Sequence, residues 1–306
     1  MVEKPAVPKL TRRDAPQKIL IKIADITIEL ISDDPSMSLC LEGDMTRFRI
    51  AAGHPDVRIR AEWNTAAKHP AGQMIFDSGG LWRLYLDNQY YRFELTSPVF
   101  GKAPYAVALF NPDFTSGEVH LRPACFGAHE PIYPLRYPLD ELLMLNLLAR
   151  GKGIHVHACG VVDGNGRGYL FAGNSGSGKT TMAKLWESQP GVEILSDDRI
   201  ILRRLHGKFW MYGTPWHGEA KFASSGRAPL NGIFLLRHGQ QNERLPKTGV
   251  EAAALLFACV FPTFYSADGL AFSLAFCEAV NKSVPCRELR FVPDHHVLQF
   301  IQTNPG

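Results

Sequence analysis

Alternation of apolar and polar positions dominates the first part of the chain. Over residues 18–31, Ile19, Ile21 and Ile23 share one face, and Ile26, Ile28 and Leu30 follow after a shift of one residue. Period-2 alternation predicts half-buried strands, and the shift predicts a bulge or turn near Asp25. Residues 81–95 predict a hairpin: Trp82, Leu84 and Leu86 lead into Asp87-Asn88, and Tyr91 and Phe93 return. Asp and Asn both tolerate left-handed backbone angles, which suits a tight turn. Further strands are expected at 48–50, 57–63, 105–110 and 118–121. The aromatic residues of this half read as core, because large rings dominate buried area. No catalytic constellation falls within it.

The pattern changes after the proline-rich segment 122–138. Leu139, Leu142, Leu143, Leu147 and Leu148 recur at helical spacing behind Pro138, and Gly151 and Gly153 end the helix. Beyond them the order is strand, glycine loop, helix, strand. Residues 232–236 predict a core strand, and 250–257 a core helix with Pro246 before it. The expected organisation is a flexible N-terminus at 1–17, a β-rich domain at 18–135, and an α/β P-loop nucleotide-binding domain at 136–306.

Composition narrows the partners. Lys and Arg number 33 against 30 Asp and Glu, so the formal charge is +3 over 306 residues. That excess is too weak to argue for nucleic acid or an anionic membrane. The six cysteines include no CxxC pair, which removes support for a zinc or thioredoxin-like motif and suits reduced thiols. Residues 1–17 carry Pro5, Pro8, Pro16 and charges of both signs, unlike a signal peptide. No run approaches the ~20 apolar residues of a membrane helix. A cytoplasmic protein is expected.

The chemistry concentrates in Gly173-Asn174-Ser175-Gly176-Ser177-Gly178-Lys179-Thr180, which satisfies G-x-x-x-x-G-K-[ST] in full. Its context fits: 169–172 is a short apolar run, the chain continues from Thr181 as a helix, and Pro190-Gly191 ends it. Loop glycines let backbone N–H groups converge on a phosphate without Cβ clashes, and the new helix adds its positive end. Lys179 would reach the β- and γ-phosphates, and the Thr180 hydroxyl would take a Mg²⁺ position. Ser196-Asp197-Asp198 follows an apolar strand, with Asp197 only 18 residues after Lys179. One helix and a tight return fill that gap, so the acids are expected at the end of a neighbouring strand. One carboxylate can hold Mg²⁺ and the other can accept a proton from a hydroxyl.

Other residues are more ambiguous. His155 and His157 share a strand face ahead of the turn Asp163-Gly164-Asn165-Gly166. Two ligands are too few for a protein metal site. His157 reads either as a neighbour of the phosphates or as a hydrogen-bonded structural histidine. Trp210, Tyr212 and Trp216 read as core, with stacking on adenine as the alternative. Lys221 and Arg227 read as solvated cations, or as cations for the γ-phosphate or an acidic substrate.

Across residues 154–201, a strand ending in His-Ala, a hairpin, the glycine loop and an Asp-Asp pair resemble the HPr kinase/phosphorylase superfamily. That superfamily shares its nucleotide core with ATP-dependent phosphoenolpyruvate carboxykinase. The likeness extends more weakly to Gly213-Thr-Pro-Trp-His-Gly-Glu219 and to the tail from Val284 to Asp294, as in smaller HPr-kinase-related members. The resemblance implies that residues 173–181 (Gly173, Asn174, Ser175, Gly176, Ser177, Gly178, Lys179, Thr180 and Thr181) bind ATP. It implies Asp197 as catalytic base with Lys179 and His157 beside the reaction, and Thr180 and Asp198 as Mg²⁺ ligands. The superfamily's Glu-Arg-Gly signature is replaced here by Trp216-His217-Gly218-Glu219, which weakens the case for phosphorylase activity and for HPr as substrate. The expected function is an ATP- and Mg²⁺-dependent kinase acting on a hydroxyl, most simply a serine of a small protein or peptide. A small-metabolite kinase and a non-catalytic nucleotide-binding regulator are the alternatives. Neither a nucleic-acid nor a membrane partner is expected, and a homo-oligomer is left open.

Overall fold

The computed structural model describes residues 17–64, 72–87, 90–127 and 130–303. Of the expected flexible arm at 1–17, residues 1–16 lie outside the described residues and Gln17 opens the first strand; the Asn88 half of the Asp87-Asn88 turn also lies outside them.

Two mixed β-sheets with few helices make up the fold, and the N-terminal part is β-rich. The first sheet contains β1 (Gln17–Ile23), β2 (Ile26–Ser32), β3 (Arg49–Ile50), β4 (Val57–Trp63), β5 (Gln73–Asp77), β6 (Trp82–Asp87), β7 (Tyr90–Leu95), β8 (Ala106–Phe110) and β9 (Ser116–Leu121). Its strand order is β3-β1-β2-β4-β9-β8-β7-β6-β5. The phase shift near Asp25 is a two-residue hairpin turn: Ile23 pairs with Ile26, and Ala24 and Asp25 both take left-handed angles (φ 49° and 57°). That geometry matches the twist of the flanking strands. The expected strand at 48–50 begins one residue later, because Phe48 closes a 3₁₀ turn, Gly43–Phe48, and is buried there. Strand β5 had no clear alternation to reveal it; its side chains are exposed or half-buried throughout.

Helix α1 (Leu139–Leu147) crosses from one part to the other. Leu139, Leu142, Leu143, Met144 and Leu147 join the same apolar core as the inward faces of β1, β2, β4 and β7, together with Ile201, Tyr212 and Trp216. Arg150, Gly151 and Gly153 leave helical angles, which stops the helix.

The second sheet holds β10 (Ile154–Val162), β11 (Gly168–Ala172), β12 (Glu193–Ser196), β13 (Arg199–Leu205), β14 (Lys208–Tyr212), β15 (Arg227–His238), β16 (Glu243–Lys247) and β17 (Cys286–Phe291). Its path is β11-β10-β13-β14-β15-β17-β16, with β12 beside β10 and a parallel pairing of β11 with β15. Helices α2 (Lys179–Glu187) and α5 (His296–Gln302) cover one face; α3 (Gly249–Phe257) and α4 (Ala267–Ser283) cover the other. Met182, Ala183 and Trp186 form the inward stripe of α2, and Trp186 stacks on Tyr169 at 5.9 Å. Among the described residues, no helix is long and apolar enough to cross a membrane.

Candidate active site

The glycine loop joins β11 to α2, the strand–loop–helix context that the motif requires. Gly178 is forced by geometry, and Gly173 is crowded by a side chain. Gly178 has φ 100°, and a Cβ there would lie 2.6 Å from the Phe291 ring. A Cβ on Gly173 would meet the Ser177 hydroxyl at 2.5 Å. The loop tip, Asn174 to Gly176, is exposed, and His238 at the end of β15 contacts the Gly176 carbonyl at 2.7 Å. Lys179 is buried, and its ammonium donates to the Gly173 and Asn174 carbonyls at 2.9 and 3.0 Å. Burial pushes the Lys179 ammonium below the ordinary lysine range, against the pull of the Asp198 charge.

The loop has the donors for an anion. The Ser177 hydroxyl is buried without a hydrogen-bond partner inside the loop. The first N–H groups of a helix point along its axis with no internal acceptor, and α2 opens two residues after Ser177. A phosphate chain suits that set of groups.

Asp197 and Asp198 occupy the break between β12 and β13 and are held by different partners. Asp197 is 1% exposed, and its two oxygens accept the Gly218 and Ala220 N–H groups at 3.0 and 2.9 Å. Those amides belong to the loop 213–226, which runs back along β12 through a Ser196–Ala223 bridge. Asp198 points elsewhere: Oδ1 meets His157 Nε2 at 2.8 Å, and Oδ2 pairs with Arg199. Burial opposes the Asp198 charge, yet the His157 hydrogen bond and the Arg199 and Lys179 charges outweigh it and hold the carboxyl below its usual range.

Arg199 extends the cluster inward. Its Nε donates to Glu141 of α1 at 3.0 Å, and its guanidinium lies 4.2 Å from the Phe261 ring centroid. Burial raises the Glu141 carboxyl despite Arg199. His155 and His157 both face Phe261; His157 reaches Asp198, whereas His155 Nδ1 lies 3.6 Å from Glu141. His155 is buried between Trp216 and Phe261, and burial lowers it to about 3, so it stays neutral.

The structure thus brings together Asp198 and His157, with the Lys179 charge acting on Asp198 and Asp197 held separately by loop amides. It adds Arg199, Glu141 and the Gly218 and Ala220 amides, which sequence reasoning missed. Arg199 follows the acid pair directly and could have been suspected; Glu141 lies 58 residues away and carried no local signal. Tyr212 and Trp216 are buried in the core, and Trp210 packs against it. Arg227 pairs with Asp25 and lies against Trp210, at the far end of β15 from the glycine loop. Among the described residues, no cluster of three or more His, Cys, Asp or Glu is placed to hold a metal. Thr180, in the first turn of α2, and Asp198 are the Mg²⁺ ligands expected from the sequence, and both Asp198 oxygens are engaged, by His157 and Arg199.

No protein-family model matches the chain, and no curated protein matches it. Among solved structures, an Hpr(Ser) kinase/phosphatase from Coxiella burnetii is similar at 13% identity and a TM-score of 0.29, over 49% of this chain and 86% of that one. That is a weak, fold-level similarity.

Proposed function

We infer that the chain is an ATP- and Mg²⁺-dependent kinase that phosphorylates a hydroxyl, most simply a serine of a small protein or peptide. One observation carries this reading: a complete P-loop on β11 and α2, whose lysine feels the charge of Asp198 at the break between β12 and β13. ATP would supply the phosphoryl group and Mg²⁺ would offset its charge. Loop amides, the α2 N-terminus and Lys179 would hold the phosphates in line. Asp197 would take the proton of the acceptor hydroxyl, its carboxylate oriented by the Gly218 and Ala220 amides. His157 and Arg199 would orient Asp198 toward the metal.

The burial of Asp197 favours a second reading, a nucleotide-binding regulator without phosphotransfer. Incubation with γ-labelled ATP, Mg²⁺ and a pool of cell extract and serine peptides separates the two. Label transfer by the wild type, abolished in Lys179→Ala and Asp197→Asn, supports the kinase. ATP binding with no transfer to any acceptor supports the regulator, and absence of ATP binding sinks both.

A further inference from the structure

We propose that Glu141 is a positioning residue for the acid pair: acting through Arg199, it fixes the direction in which Asp198 offers its oxygens to a nucleotide-bound divalent cation. The proposal rests on Asp198 as a Mg²⁺ ligand, and not on phosphoryl transfer.

The contacts run in an unbroken line. His157 Nε2 meets Asp198 Oδ1 at 2.8 Å, and Asp198 Oδ2 pairs with Arg199 Nη1. The same guanidinium donates through Nε to Glu141 Oε1 at 3.0 Å. Its carbon lies 4.2 Å from the Phe261 ring centroid. The backbone of Arg199 is held as well: its N–H donates to the Ser196 hydroxyl at 3.1 Å, and its carbonyl accepts from the Thr214 hydroxyl at 2.7 Å. An arginine fork is planar and rigid, so anchoring Nε and one face sets where Nη1 points. A carboxylate oxygen that accepts one donor keeps a second lone pair. Gripped at both oxygens, Asp198 offers its free lone pairs in one direction instead of several.

Glu141 is placed by a different part of the chain. It lies in the first turn of α1, whose Leu139, Leu143 and Leu147 are seated in the core shared with the first sheet. The side chain is buried, with His155 Nδ1 3.6 Å away. A buried ion pair is often no more stable than an apolar pair of the same volume, because both charges leave water. Core stability is served as well by an apolar residue at this position. What the acid provides is a fixed guanidinium beside Asp198. The β-rich sheet thereby acts on the site: it seats the helix whose acid holds Arg199.

The test reads metal-dependent nucleotide binding, not turnover. Calorimetry gives the ATP affinity of the full chain in excess Mg²⁺ and in EDTA, and the ratio is the contribution of the metal. Asp198→Asn should abolish most of that ratio. Glu141→Met keeps the side-chain volume and removes the acceptor. It should lower the ratio by about tenfold or more, as when a residue behind a metal ligand is lost. Glu141→Gln keeps an oxygen for Nε and should recover part of it. In EDTA, both Glu141 variants should bind ATP as the wild type does. Met144→Ala loosens α1 in the same core without removing the acid, and should leave the ratio unchanged. Arg199→Met combined with Glu141→Met removes both charges, an exchange that folds tolerate. The double variant should lose no more than Arg199→Met alone, because Glu141 acts through Arg199. That comparison decides the matter even where Glu141→Met alone is too unstable to purify. An unchanged ratio in Glu141→Met, an equal fall in Met144→Ala, or additive losses in the double variant overturns the proposal. A wild-type ratio of one overturns it too, since Asp198 then meets no metal. The stated losses without phosphoryl transfer to any acceptor uphold the proposal and sink the kinase reading alone. Transfer with a ratio unmoved by Glu141→Met sinks the positioning role alone.

Discussion

Replacing Asp140 by asparagine should make the protein more stable above neutral pH, with a pH dependence that can be worked out in advance. Asp140 sits in the first turn of α1, 6% exposed, and its Oδ1 accepts the Glu141 N–H at 2.7 Å. Burial lifts its carboxyl from the ordinary 3.8 to about 7, against the pull of that N–H. The folded value exceeds the unfolded one, so protonation favours the fold. The benefit is complete below about 3.8, declines as pH rises, and is gone once pH passes about 7. At ~1.4 kcal/mol per pH unit, the ionised carboxylate costs about 4 kcal/mol at pH 8 and less than half of that at pH 5. Asn keeps the accepting oxygen and has no charge to bury. Its new N–H groups offset about 1–3 kcal/mol if they stay unpaired, a cost independent of pH. The stability difference between Asp140→Asn and wild type should therefore swing by about 3 kcal/mol toward the variant between pH 5 and pH 8. Urea unfolding followed by tryptophan fluorescence at several pH values measures it, and other titrating groups cancel in the difference. A difference constant within about 1 kcal/mol across that range would refute the reasoning.

Three further outcomes are expected. Gly178→Ala places a Cβ 2.6 Å from the Phe291 ring at a φ of 100°, and it should cost about 2–4 kcal/mol and remove the thermal shift given by Mg-ATP; an unchanged melting temperature would contradict the loop geometry. Trp186→Ala empties a fully buried site against Tyr169 and Phe171, and urea unfolding should show a loss of about 3–5 kcal/mol. Asp197→Asn cannot accept from both Gly218 and Ala220, so hydrogen exchange across 213–226 should speed up by about tenfold per ~1.4 kcal/mol lost, and unchanged exchange would mean that the carboxylate does not hold the loop.

Much of the architecture was legible because it is written in short spacings. The β1–β2 hairpin shows in the isoleucine phase, and the β6 and β7 strands in their alternation. The glycine loop shows in eight consecutive residues, since a phosphate cradle needs small residues and a lysine at set positions on one turn of chain. The acid pair was expected at the end of a neighbouring strand, from the apolar run ahead of it and its distance from Lys179, and it lies at the break between β12 and β13. These are local properties, decided by a few backbone angles and the period of one element.

The remainder depends on which strands become neighbours. The division of the acid pair, with Asp197 held by loop amides and Asp198 held by His157 and Arg199, follows from β12 lying beside β10 and from the return of loop 213–226. Glu141 reaches Arg199 because α1 packs into a core shared with the first sheet. Arg227 meets Asp25 across 202 residues of chain, which moves it from the phosphates to the β1–β2 turn. Contacts of that length have no period and no motif. The sequence by itself determined most strands of the first sheet, β5 apart, and the phosphate loop. Only the tertiary structure decided what surrounds the acids, because burial and partnership arise when separate elements exclude water together.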